Sequence, residues 1–116
     1  MKICIDMDGT ICETRLPTQS YDEVKPKPGA VNTLRQLRLD GHYIIIYSSR
    51  HMATCNNNLG KITAIQAPIF EKWFKKHKIE YDELWFGKPL ADIYIDDKTI
   101  PYENNWGDIY NKLKTI

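Results

Sequence analysis

The run Tyr43-Ile44-Ile45-Ile46-Tyr47 constrains the fold more than any other stretch of this 116-residue chain. Three consecutive Ile residues leave no polar alternation. They predict a short strand buried on both faces, the pattern of a parallel sheet covered by helices. Lys2 to Asp6 predicts a similar strand, apolar up to an acidic end. Leu84 to Phe86 and Asp92 to Ile95 predict two more. Residues 11–27 lack periodicity and carry Pro17 and Pro26, so they predict a loop. A helix is expected from Pro28, with Val31, Leu34 and Leu37 on one face and an end near Gly41. Residues 51–60, with three Asn and a Gly, predict another loop, and helical character resumes from Lys61. From Pro68 onward Ile69, Phe70, Trp73, Phe74 and His77 share one helical face, while Glu71, Lys72, Lys75 and Lys76 face away. These aromatics and His77 read as packing residues. A last helix from Trp106 carries Ile109, Tyr110 and Leu113. The order β-loop-α-β-α-β-β-α is that of an α/β fold with a small, mostly parallel sheet, of one-domain length over residues 1–116.

Charge narrows the function. Lys plus Arg is 16 and Asp plus Glu is 15, a formal net charge of +1. That balance gives no electrostatic case for nucleic acid or an anionic membrane. The longest apolar run, Tyr43 to Tyr47, is far short of the roughly 18 residues of a membrane span. Asp6 arrives before any signal-peptide core could form, so a cytoplasmic protein is expected. Cys4, Cys12 and Cys55 form an odd set without a Cys-x-x-Cys pair and read as free thiols. A zinc site from His51, Cys55 and Cys12 lacks a fourth ligand and paired spacing, and is set aside.

In sheets of this kind chemistry collects beyond the carboxyl ends of the strands. The first strand runs into Asp6-Met7-Asp8-Gly9-Thr10, the second into Ser48-Ser49-Arg50, and the fourth into Asp96-Asp97. Gly87-Lys88-Pro89 follows the third. On one rim, Asp6, Asp8, Asp96 and Asp97 would crowd four carboxylates, which repel unless a cation intervenes. Oxygen donors without paired His or Cys suit Mg²⁺, which shares its shell with phosphate. Lys88, the Ser48 hydroxyl and the backbone N–H groups around Gly9 and Thr10 are candidates for holding phosphate oxygens. Asp6 and Asp8, at i and i+2 of an extended segment, point the same way. One carboxylate can attack phosphorus while the other moves the leaving group's proton.

These residues resemble the motifs of the haloacid dehalogenase (HAD) phosphatase superfamily. Asp6-Met7-Asp8-Gly9-Thr10 is similar to its first motif, Ser48 after an apolar strand to the second, Lys88 to the third and Asp96-Asp97 to the fourth. The four occur in order over residues 6 to 97. The resemblance implies a three-layer Rossmann-like core and an aspartyl-phosphate mechanism. It makes Asp6 the nucleophile and a metal ligand, and Asp8 the general acid/base with its backbone carbonyl on Mg²⁺. Ser48 and Lys88 would bind the phosphoryl group, and Asp97 or Asp96 would complete the metal site. Phosphoryl transfer to an acceptor other than water needs the same residues. A receiver-like signalling domain uses similar residues, but its phospho-accepting Asp ends a middle strand, an order that does not fit here.

The gaps Ile11–Tyr47 and Ser49–Gly87 leave no room for a globular cap, so the resemblance is to a capless member. The stretches Arg50-His51-Met52, Asn58 to Gly60, Tyr81 to Leu84 and Gly87-Lys88-Pro89 also resemble small bacterial proteins of capsule and surface-polysaccharide biosynthesis. Ser49, Arg50, His51 and the Asn side chains would then meet the leaving group. The expected substrate is a small phosphorylated metabolite, a sugar phosphate or polyol phosphate. Self-association, or the substrate itself, would cover an open site.

Overall fold

A computed structural model describes all of residues 1–116. Three parallel strands form the sheet: β1 (Lys2–Asp6), β2 (Tyr43–Ser48) and β3 (Glu83–Phe86), in the spatial order β1-β2-β3. Helix α1 (Ala30–Leu39) links β1 to β2, helix α2 (Leu59–His77) links β2 to β3, and helix α3 (Trp106–Leu113) closes the chain. Sequential parallel strands joined by right-handed crossovers place both connecting helices on one side of the sheet. The core agrees. Ile5 and Met7 of the first strand segment and Ile44 and Ile46 of β2 pack with Leu34 and Leu37 of α1, Phe70, Trp73 and Phe74 of α2, and Trp106, Ile109 and Leu113 of α3. The alternate positions differ: Lys2, Cys4, Tyr43 and Trp85 are exposed, and Ile45 and Tyr47 half-buried.

The register aligns the strand ends. Asp6 lies beside Tyr47, and Ser48 beside Phe86. The chain just beyond β1, the end of β2 and the chain just beyond β3 therefore open onto one rim.

Three expectations need correction. The first helix starts at Ala30 rather than Pro28. Gly29, at φ +82°, is outside the helical region and takes the N-cap, and a Cβ there would lie 3.2 Å from Trp106 Cβ, so α3 packs close against this start. The second helix begins at Leu59, earlier than Lys61, because the Asn58 side chain caps it by accepting from the Lys61 N–H. Pro68 lies inside α2, on its exposed side. The largest correction concerns Asp92–Ile95, which forms no strand. Residues 91–99 are all exposed, Ile93 at 76% and Ile95 at 96%. Only Gly87–Ala91 separates this stretch from β3, whereas a parallel crossover needs about a dozen residues or more.

The loop 11–27 is tied at its base. Glu13 N–H donates to Lys25 O and Lys27 N–H to Ile11 O. The Trp73 indole donates to Val24 O at 2.8 Å. A short 3-10 turn at Tyr21–Glu23 is held by a reciprocal Ser20–Glu23 cap.

Candidate active site

The rim is built from β1 outward. Met7, fully buried, anchors the chain between Asp6 and Asp8. Its carbonyl accepts from the Thr10, Ile11 and Cys12 N–H groups, which closes a tight turn. Gly9 N–H donates to Cys12 O at 2.7 Å. The backbone N–H groups of Gly9 and Thr10 are thus spent within the turn, contrary to the expectation that they hold phosphate. The Thr10 hydroxyl instead donates to Asp6 Oδ2 at 3.2 Å, and the Trp106 indole donates to Thr10 O at 3.0 Å. The indole secures α3 against the first motif.

Lys88 reaches Asp6 Oδ1 at 3.0 Å, with both side chains partly exposed. Lys88 is placed by its own N–H, which donates to Ser48 O at 3.1 Å, and by Gly87. Gly87 has φ +90°, a conformation that L side chains rarely adopt, so glycine is favoured at this turn.

Asp8 meets Arg50. The guanidinium Nε donates to both carboxylate oxygens, at 3.1 and 2.9 Å, and Nη2 to Oδ1 at 2.8 Å. Arg50 is only 7% exposed, and its guanidinium lies 4.0 Å from the Tyr21 ring centre and 4.4 Å from that of Phe70. Removing Asp8 would leave the Arg50 charge buried and unpaired, a loss of up to about 3–5 kcal/mol. The expectation that Arg50 faces the substrate is corrected: it points inward. Ser48 is 1% exposed, and its Oγ accepts from the Arg50 N–H at 3.1 Å. Ser49 is half-buried beside it. Beyond Arg50 the chain turns sharply, with His51 at φ 60°, Asn56 at 49° and Asn57 at 61°. His51 Nδ1 is 2.9 Å from Thr54 Oγ1. Asn58 is engaged as the helix cap, His51 Nε2 is buried without a partner, and Asn56 and Asn57 are exposed.

Two participants carry no signal in the sequence. Cys12 is buried with Sγ 3.5 Å from Asp8 Oδ1, and burial, with the Asp8 carboxylate beside it, pushes its thiol up to about 12. Gln66 of α2, fully buried, accepts from Arg50 Nη1 at 3.3 Å. Cys12 is brought there by the turn that closes on Met7, and Gln66 only by the packing of α2. His77 behaves as expected of a packing residue: its ring lies 4.5 Å from that of Trp73, tilted by 49°, and burial lowers its pKa.

Asp6, Asp8, Ser48, Ser49 and Lys88 are brought to one rim. Asp96 and Asp97 are not. Both are exposed, Asp96 accepts from the Lys98 N–H at 2.7 Å, and no group of three or more His, Cys, Asp or Glu side chains is close enough to hold a metal ion. Asp6 and Asp8 are instead balanced one for one by Lys88 and Arg50.

No protein-family model and no curated protein matches this chain. Solved structures do. The D,D-heptose 1,7-bisphosphate phosphatase from B. bronchiseptica, complexed with magnesium and phosphate, aligns with a TM-score of 0.55 at 16% identity, over 97% of this chain and 63% of that one. A chain of the Pnkp1/Rnl/Hen1 RNA repair complex aligns at 0.52 and 22% identity, over 98% of this chain and 30% of that one. The parallel sheet and its helices match a Rossmann-like core. More particularly, an MCSG target from Vibrio cholerae aligns with a TM-score of 0.78 at 30% identity, over 97% of this chain and 98% of that protein. The chain belongs to the same family as that protein. No helix is long and apolar enough to cross a membrane.

Proposed function

We propose that this chain hydrolyses a phosphate monoester through a phosphorylated aspartate. The observation that carries the reading is the meeting of Asp6 and Asp8 with Lys88 and Ser48 at the carboxyl ends of all three strands. An Asp6 oxygen attacks phosphorus, and the bond from phosphorus to the ester oxygen breaks. Asp8 delivers a proton to the departing oxygen. Water then attacks the acylphosphate and gives its proton to Asp8, which frees inorganic phosphate and Asp6. Lys88 and the Ser48 hydroxyl hold the transferring group, with Ser49 beside it.

Mg²⁺ is part of the proposal, and the charge count supports it. Lys88 and Arg50 balance Asp6 and Asp8. A bound monoester adds about −2 to this balanced site, and a divalent cation would offset that added charge, leaving Asp8 to take up the proton that it delivers. The donors are hard oxygens, as Mg²⁺ requires. Asp6 and the Asp8 carbonyl would hold it, with Asp97 or Asp96 brought in from the exposed turn. When bound, the cation would screen the phosphoryl oxygens as charge develops on them.

A sugar phosphate or polyol phosphate is the proposed substrate. Asn56 and Asn57, exposed on the segment that follows Arg50, would offer polar partners for hydroxyl groups. The resemblance to polysaccharide-associated proteins points the same way. The test is a screen of phosphorylated metabolites with and without Mg²⁺. Phosphate release from sugar phosphates, silenced by chelation and restored by Mg²⁺, is expected. Undiminished turnover after exhaustive dialysis against chelator would overturn the metal assignment. No release from any member of the panel would overturn the hydrolase reading.

A further inference from the structure

Arg50 lies two residues beyond Ser48 of the second motif, where a cation would be expected to grip phosphate, yet most of its donors are already committed. A guanidinium has five N–H groups. The Nε proton goes to Asp8, Nη2 reaches Asp8 Oδ1 and Cys12 Sγ, and Nη1 reaches Gln66 Oε1. One N–H remains. The side chain is 5% exposed and lies against the rings of Tyr21 and Phe70. Gln66 and Phe70 sit four residues apart on α2, so one helical face supplies both a hydrogen-bond acceptor and an aromatic wall.

We propose that Arg50 is a positioning residue, a rigid fork by which α2 and the Tyr21 turn fix the orientation of Asp8, and not a ligand of the substrate's phosphate. The inference rests on the phosphatase reading, in which Asp8 moves the proton. Two contacts from a planar fork fix both the position and the plane of a carboxylate. Ser48 contributes by directing the Arg50 backbone: its Oγ accepts from the Arg50 N–H. The packing of a helix far along the chain thereby reaches the acid/base group.

The test compares steady-state hydrolysis of an aryl phosphate by wild type, Asp6→Asn, Arg50→Lys, Gln66→Leu and Tyr21→Leu. Lysine keeps the charge but cannot make the two-pronged contact. Arg50→Lys should lower kcat by about tenfold to a hundredfold, the scale of a misplaced catalytic group, while KM stays nearly constant. Gln66→Leu and Tyr21→Leu keep both Arg50 and Asp8 and loosen only the supports. Each should lower kcat by less, again without raising KM. A raised KM with kcat retained in Arg50→Lys would make Arg50 a phosphate ligand and overturn the proposal. If Arg50→Lys does not fold, the two support variants decide, and unchanged kcat in both overturns it. Absence of hydrolysis in wild type overturns the phosphatase reading and this inference together. Hydrolysis that is lost in Asp6→Asn but untouched in the Arg50, Gln66 and Tyr21 variants overturns the inference alone.

Discussion

Two acidic pairs lie in this chain at the ends of apolar stretches, and they meet different fates. Asp6 and Asp8 flank a fully buried Met7, and each carboxylate has a cationic partner within hydrogen-bond range. Asp96 and Asp97 follow Ile93-Tyr94-Ile95, an equally apolar stretch, yet those Ile side chains stand in solvent and no cation is paired with either acid. The difference is anchorage. β1 pairs with β2 along its whole length and buries Ile5 in the core shared by three helices. The stretch 91–97 hangs on a short link from β3 and contributes nothing to that core. An acidic pair becomes a site when the chain beneath it is held.

The sharpest way to break this comparison is Asp6→Asn. It should abolish turnover, a loss of several orders of magnitude, because an amide cannot form the acylphosphate. Asp8→Asn should instead slow breakdown of the intermediate, seen as trapped acylphosphate after rapid quench. Asp97→Asn should raise the Mg²⁺ concentration needed for half-maximal activity. An unchanged requirement in both Asp97→Asn and Asp96→Asn would leave the second pair without a role.

Stability separates the two regions next. Phe70→Ala, in the core and against Arg50, should cost about 3–5 kcal/mol in denaturant unfolding. Ile95→Ala, 96% exposed, should stay within about 0.5 kcal/mol. A large loss in Ile95→Ala would mean that this stretch packs after all.

The smallest effect lies at the opposite end of the sheet. The Ile44 N–H, donating at 2.8 Å, with Arg38 beside it, holds the Asp82 carboxyl below its ordinary value. A depressed folded pKa adds stability that is present above the unfolded value of about 3.9. That stability is lost as pH falls through the lower folded value. Asp82→Asn should therefore lower Tm modestly at pH 7, with the difference shrinking in acid. A difference independent of pH would assign the effect to geometry rather than charge.

Much was legible in the chain itself. Unbroken apolar runs fixed β1 and β2 to within a residue, because a run of β-branched side chains has one economical burial. The aromatic face of α2 and the Trp106 helix followed from helical spacing. Asp6, Asp8, Ser48 and Lys88 stood out because strand ends of a parallel sheet must share a rim. What tertiary structure decided was how those groups are occupied. Arg50 has the same sequence neighbourhood whether it faces solvent or the core. The packing of α2, which presents Gln66 and Phe70, and of the Tyr21 turn directs it toward Asp8. The N–H groups of Gly9 and Thr10 were closed off by a turn whose hydrogen bonds depend on the placement of Met7 and Cys12. Asp92–Ile95 carries the composition of a strand, but composition gives no partner edge, and a link of five residues, Gly87–Ala91, does not reach one.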